Sequence, residues 1–104
     1  MTDGPILLVF DFPARPPGGP EQEAALRALA EDIAAEPGLL WKIWTASAAE
    51  NRAGGVYLFA DRAAAEAYHR KHAARLAAMG IDGIEASYRE IMAPLSEITR
   101  GPIR

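Results

Sequence analysis

EPGLLWKIWTAS, running from Glu36 to Ser47, contains both tryptophans of the chain, three residues apart. Read as a strand, the segment sends successive side chains to opposite faces, so a spacing of three puts Trp41 and Trp44 on opposite sides of a sheet. Trp41, Ile43 and Thr45 fall on one side, and Leu40, Lys42, Trp44 and Ala46 on the other. A sheet wet on one face shows a clean apolar–polar alternation. This one does not, so both faces need a cover.

Working outward, Pro37-Gly38 ends whatever helix precedes the strand, which spans Leu39 to Ser47. Upstream, Pro20 suits a first helical turn, with Glu21 and Glu23 at its positive end. Leu26, Leu29, Ala30 and Ile33 then recur at helical spacing. PARPPGGP, Pro13 to Pro20, reads as a loop, and PILLVFDF, Pro5 to Phe12, as the first strand. Downstream, the link AAENRA leads to GGVYLFA, Gly54 to Ala60, a third strand forming an antiparallel hairpin with the second. Asp61 is an N-cap for an alanine-rich helix ending before Gly80. IEASYREIM, Ile84 to Met92, alternates as a fourth strand, and the tail over residues 93–104 is weakly specified and partly extended.

The order is β-α-β-β-α-β, the ferredoxin-like α+β arrangement: a four-stranded antiparallel sheet with both helices on one face. The first strand offers Ile6, Leu8, Phe10 and Phe12 to one side and Leu7, Val9 and Asp11 to the other; the third divides into Val56 and Leu58 against Tyr57 and Phe59. The helices cover one apolar face, and no further element remains for the second. A second copy of the chain, sheet on sheet about a two-fold axis, is the economical cover, giving a homodimer in which one tryptophan serves the interior and the other the interface. Alternation alone leaves open which does which.

Composition narrows the function classes. The 104 residues suit a single domain, residues 1–104, and 50% hydrophobic content with 24% charged residues suits a globular chain. A net charge of −3 and no run of Lys or Arg argue against a nucleic-acid partner. There is no cysteine, so disulfides and thiolate chemistry are excluded. The start, MTDGPILLVF, lacks a positive segment and a long apolar run, and reads as neither a signal peptide nor a membrane span; the expectation is a soluble, cytoplasmic protein with no membrane partner. The glycine pairs in PPGGP and RAGGV lack the spacing of nucleotide-binding loops, and no serine sits in a nucleophile elbow.

EPGLLWKIWTAS, GGVYLFAD and AAAEAYHRKHAARL together resemble the signature segments of the YdhR-type mono-oxygenase family, within the dimeric α+β barrel superfamily. The resemblance runs from about Pro5 to Ile98. It is most specific in Glu36-Pro37-Gly38, Trp41, Lys42, Trp44, Thr45, Gly54-Gly55 and Tyr57-Leu58-Phe59; the long Pro/Gly loop and the His69-Arg70 pair depart from it. It implies a homodimer with a ligand cavity in each subunit between helices and sheet. It also implies a cofactor-independent insertion of O2-derived oxygen into an aromatic or polyketide-like small molecule. The same fold hosts haem-binding or haem-degrading proteins and non-catalytic small-molecule binding or stress-response modules, and these are the alternatives.

His72 shares a helix face with Tyr68 and Leu76. As catalytic residue it would take a proton from an acidic phenol or enol, or hydrogen-bond an oxyanion, leaving an electron-rich substrate to react with O2; the plainer reading is a hydrogen-bonded core histidine. Trp41 and Trp44 could stack on a flat ring, and Tyr57, Tyr68 and Tyr88 could line the pocket, though packing explains any of them. Arg75, three residues after His72, could hold an anionic group or snorkel to solvent. Lys42 reads as one half of an interfacial ion pair. His69 with His72 spells H-x-x-H, but His69 groups with Arg62 and Glu66 on the expected wet side, so no metal is assigned.

Overall fold

Seven elements follow one another in the computed structural model, which describes residues 4–15 and 18–103. They are β1 (Ile6–Pro13), α1 (Pro20–Ala34), β2 (Leu39–Ser47), β3 (Arg52–Phe59), α2 (Arg62–Ala78), β4 (Glu85–Glu90) and a short α3 (Ala93–Ile98). The first six reproduce the expected order. The strands form one antiparallel sheet in the order β2-β3-β1-β4, which is the ferredoxin-like topology. Of the loop between β1 and α1, residues 16 and 17 lie outside the described residues.

Local chemistry sets the boundaries. Gly38 takes a positive φ of 81° after α1, a conformation glycine adopts without the Cβ penalty. The Asp61 side chain accepts a hydrogen bond from Ala64 N at 2.8 Å, capping α2 as expected; such a cap contributes about 1 kcal/mol.

β1 is the central strand, and its alternation builds the core. Ile6, Leu8, Phe10 and Phe12 are buried toward the helices, opposite Tyr57 and Phe59 of β3 in register. Tyr68, His72 and Leu76 of α2 descend onto this layer, and Ile33 of α1 joins it. The aromatic rings interlock: Phe10 meets Tyr57, Tyr68 and His72 edge-on at 5.8, 6.3 and 5.3 Å between centroids. Edge-to-face pairs of this kind add to burial and fix ring orientation.

Two features depart from simple alternation. Leu39 pairs with Phe59 while Trp41 pairs with Leu58, so β2 carries an irregularity around Leu40. The extra residue turns Leu39 into the core and leaves Leu40 exposed, rather than grouped with Lys42 and Trp44. The second departure is the tail, which is not simply extended: it forms α3 and then returns beneath the sheet. Trp41 lies on the face away from the helices, and its indole N–H donates to the carbonyl of Pro102 at 2.6 Å. Leu58, Trp41's register partner on that face, is fully buried. The tail therefore covers part of the second face, which sequence reading had left to a partner alone. Ile43, further along the same face, remains 56% exposed.

Candidate active site

Between α1, the C-terminal half of α2 and the sheet lies a cavity of about 450 Å³, within the range of small-molecule sites. It exists because α1 touches the core chiefly through Ile33, while its earlier turns, carrying Leu26 and Leu29, form the far wall. Trp44 and Lys42 from β2, Tyr57 from β3 and His72 from α2 form the near wall. The tryptophan ambiguity is thus resolved: Trp44 is at the cavity and Trp41 on the opposite face.

His72 is 3% exposed, and its Nδ1 accepts from Arg75 Nε at 3.2 Å and Nη2 at 2.9 Å. A guanidinium can only donate, so Nδ1 carries no proton and the neutral ring bears its hydrogen on Nε2. Arg75 is held in turn by Asp32 of α1, whose Oδ2 accepts from Nη1 at 2.7 Å. This chain of contacts ties α1 to α2 and fixes the imidazole tautomer. Burial, then the charges of Arg75 and Lys42, hold the His72 pKa down to about 3, so the ring stays neutral through the physiological range. An imidazole that weakly basic is ill matched to proton abstraction near pH 7, whereas its N–H remains a competent donor.

Tyr68 Oη donates to Tyr57 Oη at 3.0 Å. Tyr57 lines the cavity, and burial pushes its pKa up to about 12; Tyr68 sits beneath it, with its own pKa raised by burial. Lys42 projects its Nζ over the Trp44 ring, 3.3 Å from the centroid, and lies 4.7 Å from that of Tyr57. Burial first, then repulsion from Arg75, lower the Lys42 pKa to about 7. No ion pair binds it among the described residues, and it lies at the cavity on the helix side of the sheet rather than on the face expected to meet a partner.

The other candidates are placed as follows. Arg75 stands behind His72 and is not part of the cavity wall; Trp41 is across the sheet. Tyr88 of β4 is also away from the cavity, its hydroxyl 2.7 Å from His69 Nδ1. His69 is accordingly not on the wet side: it is half-buried, its ring 5.3 Å from that of Phe10. Among the described residues no group of three or more His, Asp or Glu is arranged to hold a metal ion. A smaller pocket of about 190 Å³ at the far end of the β2–β3 hairpin has its one cation, Arg52, engaged by Asp11 and Glu85.

Sequence reasoning passed over Lys42 as a site residue. The signal was present, since Lys42 alternates with Trp44 and faces Tyr57 in register, but it needed the correct assignment of sheet faces. No helix among the described residues is long and apolar enough to cross a membrane.

No curated protein matches the chain. A solved structure described as a "putative antibiotic biosynthesis monooxygenase" from Caulobacter crescentus CB15 superposes with a TM-score of 0.60 at 25% identity, covering 86% of this chain and 92% of that one. A family model described as "Putative mono-oxygenase ydhR" matches residues 7–102, and on that span, nearly the whole chain, the protein belongs to this family.

Proposed function

We propose that the protein is a mono-oxygenase that oxidises an aromatic or polyketide-like small molecule with O2 and without an added cofactor. The observation that carries the reading is the mainly apolar cavity, in which a flat indole and a neutral imidazole N–H converge beside Lys42 and Tyr57. Trp44 offers its face to a planar ring. The Nε2–H of His72 hydrogen-bonds the substrate oxygen on which negative charge accumulates, held in the productive tautomer by Arg75. An anthrone-type ring methylene illustrates the balance. Its two hydrogens leave with one oxygen atom as water, the other oxygen becomes the new carbonyl, and the substrate supplies all four electrons.

The test is oxygen uptake by purified, metal-free protein given anthrone alone, with the quinone product followed by mass. Uptake with stoichiometric quinone is expected, and His72→Ala should slow it about a hundredfold, the usual cost of losing one oxyanion donor. No uptake, or uptake indifferent to His72→Ala, would count against the reading.

The working unit we propose is a homodimer. Leu7, Val9, Ile43 and Val56 leave an apolar strip on the sheet face opposite the helices that the tail only partly covers, and Met92, Leu95 and Ile98 after β4 are exposed as well. Light scattering should give twice the 11.2 kDa chain mass, falling to the monomer in Ile43→Glu and Trp41→Glu but not in Trp44→Glu. A monomeric wild-type protein would sink the proposal.

A further inference from the structure

The charges around the cavity are one-sided. Arg15 and Lys42 line it, His72 offers an N–H, and no aspartate or glutamate is among its lining residues, although the chain as a whole carries a net charge of −3. The carboxylate tied to His72 through Arg75, Asp32, is already engaged by that guanidinium. Lys42 lies over the Trp44 and Tyr57 rings with no ion pair among the described residues, and an ammonium drawn partly out of water ordinarily has a paired charge. A cavity built this way lacks one negative charge, and its ligand is the group that can bring it.

We infer that the cavity takes its ligand as an anion, the phenolate or enolate of an acidic aromatic hydroxyl or 1,3-dicarbonyl, with Lys42 accepting the ligand's proton and then holding its charge. This deepens the oxygenase reading and rests on it for the substrate's ring. The step balances: the O–H bond breaks, its electron pair stays on the ligand oxygen, and the proton converts the Lys42 amine to ammonium. The resulting oxyanion lies between that ammonium and the Nε2–H of His72.

The surroundings suit Lys42 to this exchange. Tyr57 from β3 stays protonated, and Arg75 and His72 from α2 present one fixed cation and one neutral ring. Arg15 approaches from the loop after β1, and α1 contributes the uncharged Gln22, Leu26 and Leu29. With its pKa near 7, Lys42 is divided between amine and ammonium at neutrality, the condition under which a base is both available and strong enough. The β3 backbone makes room for it: a Cβ on Gly55 would lie 2.6 Å from Lys42 Cε, so glycine there lets the lysine stem lie flat against the strand.

The probe is 2-hydroxyanthraquinone, whose phenolate absorbs at longer wavelength than the phenol, titrated with pH free and in the presence of saturating full-length protein. Bound to the wild type it should ionise at least one pH unit lower than when free, a tenfold gain in acidity. Lys42→Met, which keeps an unbranched chain over Trp44, should abolish that shift and weaken binding of the phenolate at least tenfold. Lys42→Arg should keep the shift, because the cation remains, yet lose most oxygen uptake, because arginine does not accept the proton. Failure of the probe to bind, binding as the neutral phenol, or a shift that survives Lys42→Met would overturn the inference. The two readings separate cleanly: ionisation without oxygen uptake sinks the oxygenase and leaves Lys42 standing, whereas uptake unaltered in Lys42→Met does the reverse.

Discussion

Gly54→Ala should severely destabilise the fold, while Gly55→Ala, one residue on, should fold well and bind poorly. Both glycines lie in the middle of β3, between β2 and β1. A Cβ on Gly54 would stand 2.0 Å from the carbonyl oxygen of Phe10 and 2.9 Å from its carbon. Both atoms belong to the backbone of the central strand, so no rotamer change relieves the overlap; β1 and β3 would have to part. Their pairing organises the sheet and places Phe10, Tyr57 and Phe59 in one layer. The cost is on the order of 3 kcal/mol or more, at the upper end of overpacking effects, against a total stability of roughly 5–15 kcal/mol for a domain of this kind. At Gly55 the severe clash is with Lys42 Cε, the mobile end of a side chain, which can move aside, while Ile43 O and Tyr57 Cε1 at 3.3 Å need give only a few tenths of an ångström. The loss there falls on the site: the ammonium leaves its seat over Trp44. Urea unfolding followed by circular dichroism checks the first variant, and titration with the hydroxyanthraquinone checks the second. Equal stabilities for Gly54→Ala and wild type would mean that the two strands have freedom to separate.

The same glycine pair shows what the sequence could and could not convey. The alternation of Ile6, Leu8, Phe10 and Phe12, the Pro37-Gly38 stop and the Asp61 cap act over a few residues, and each element they define is found where it was expected. Side-chain period also placed Trp41 and Trp44 on opposite faces. What it lacked was the identity of each face, because both are apolar; only the descent of Tyr68, His72 and Leu76 onto Phe10 and Tyr57 assigns the Trp44 side to the helices. The irregularity at Leu40 was equally hidden, since one extra residue in a ladder leaves no mark in an apolar run. Lys42 followed from the same blind spot: an isolated lysine between tryptophans reads as half of an interfacial ion pair until the strand is known to face a cavity. His72 was placed on the sheet-facing side of its helix because helical spacing is a strong signal. Its hydrogen-bonding through Arg75 to Asp32, 40 residues away in sequence, is a tertiary contact with no local trace.

That buried arrangement should make the protein acid-sensitive, and removing His72 should blunt the sensitivity. In the unfolded chain a histidine takes up a proton near its ordinary pKa of 6.5, whereas in the folded protein burial, Arg75 and Lys42 delay this to about pH 3. Between those values the unfolded state binds the extra proton, so stability falls as the pH falls; it is fully present above 6.5 and has lost this contribution by about 3. Each unit crossed costs about 1.4 kcal/mol, giving on the order of 3 kcal/mol by pH 4, or roughly 10–20 °C in melting temperature for a domain of this length. Other carboxylates titrate over the same range, so the decisive quantity is the difference between wild type and His72→Gln, whose amide oxygen can still accept from Arg75 but which cannot become charged. The variant's melting temperature should change less between pH 7 and 4, by most of that amount. Lys42 acts at the other end. Its pKa falls from 10.5 to about 7, so the unfolded chain holds the extra proton between those values and stability rises with pH there. That alkaline limb should be present in His72→Gln and absent in Lys42→Met. Parallel acid limbs for wild type and His72→Gln would show that the imidazole takes up its proton as readily in the folded protein as in the unfolded chain, against the ring held neutral by burial and Arg75 on which the proposed chemistry depends.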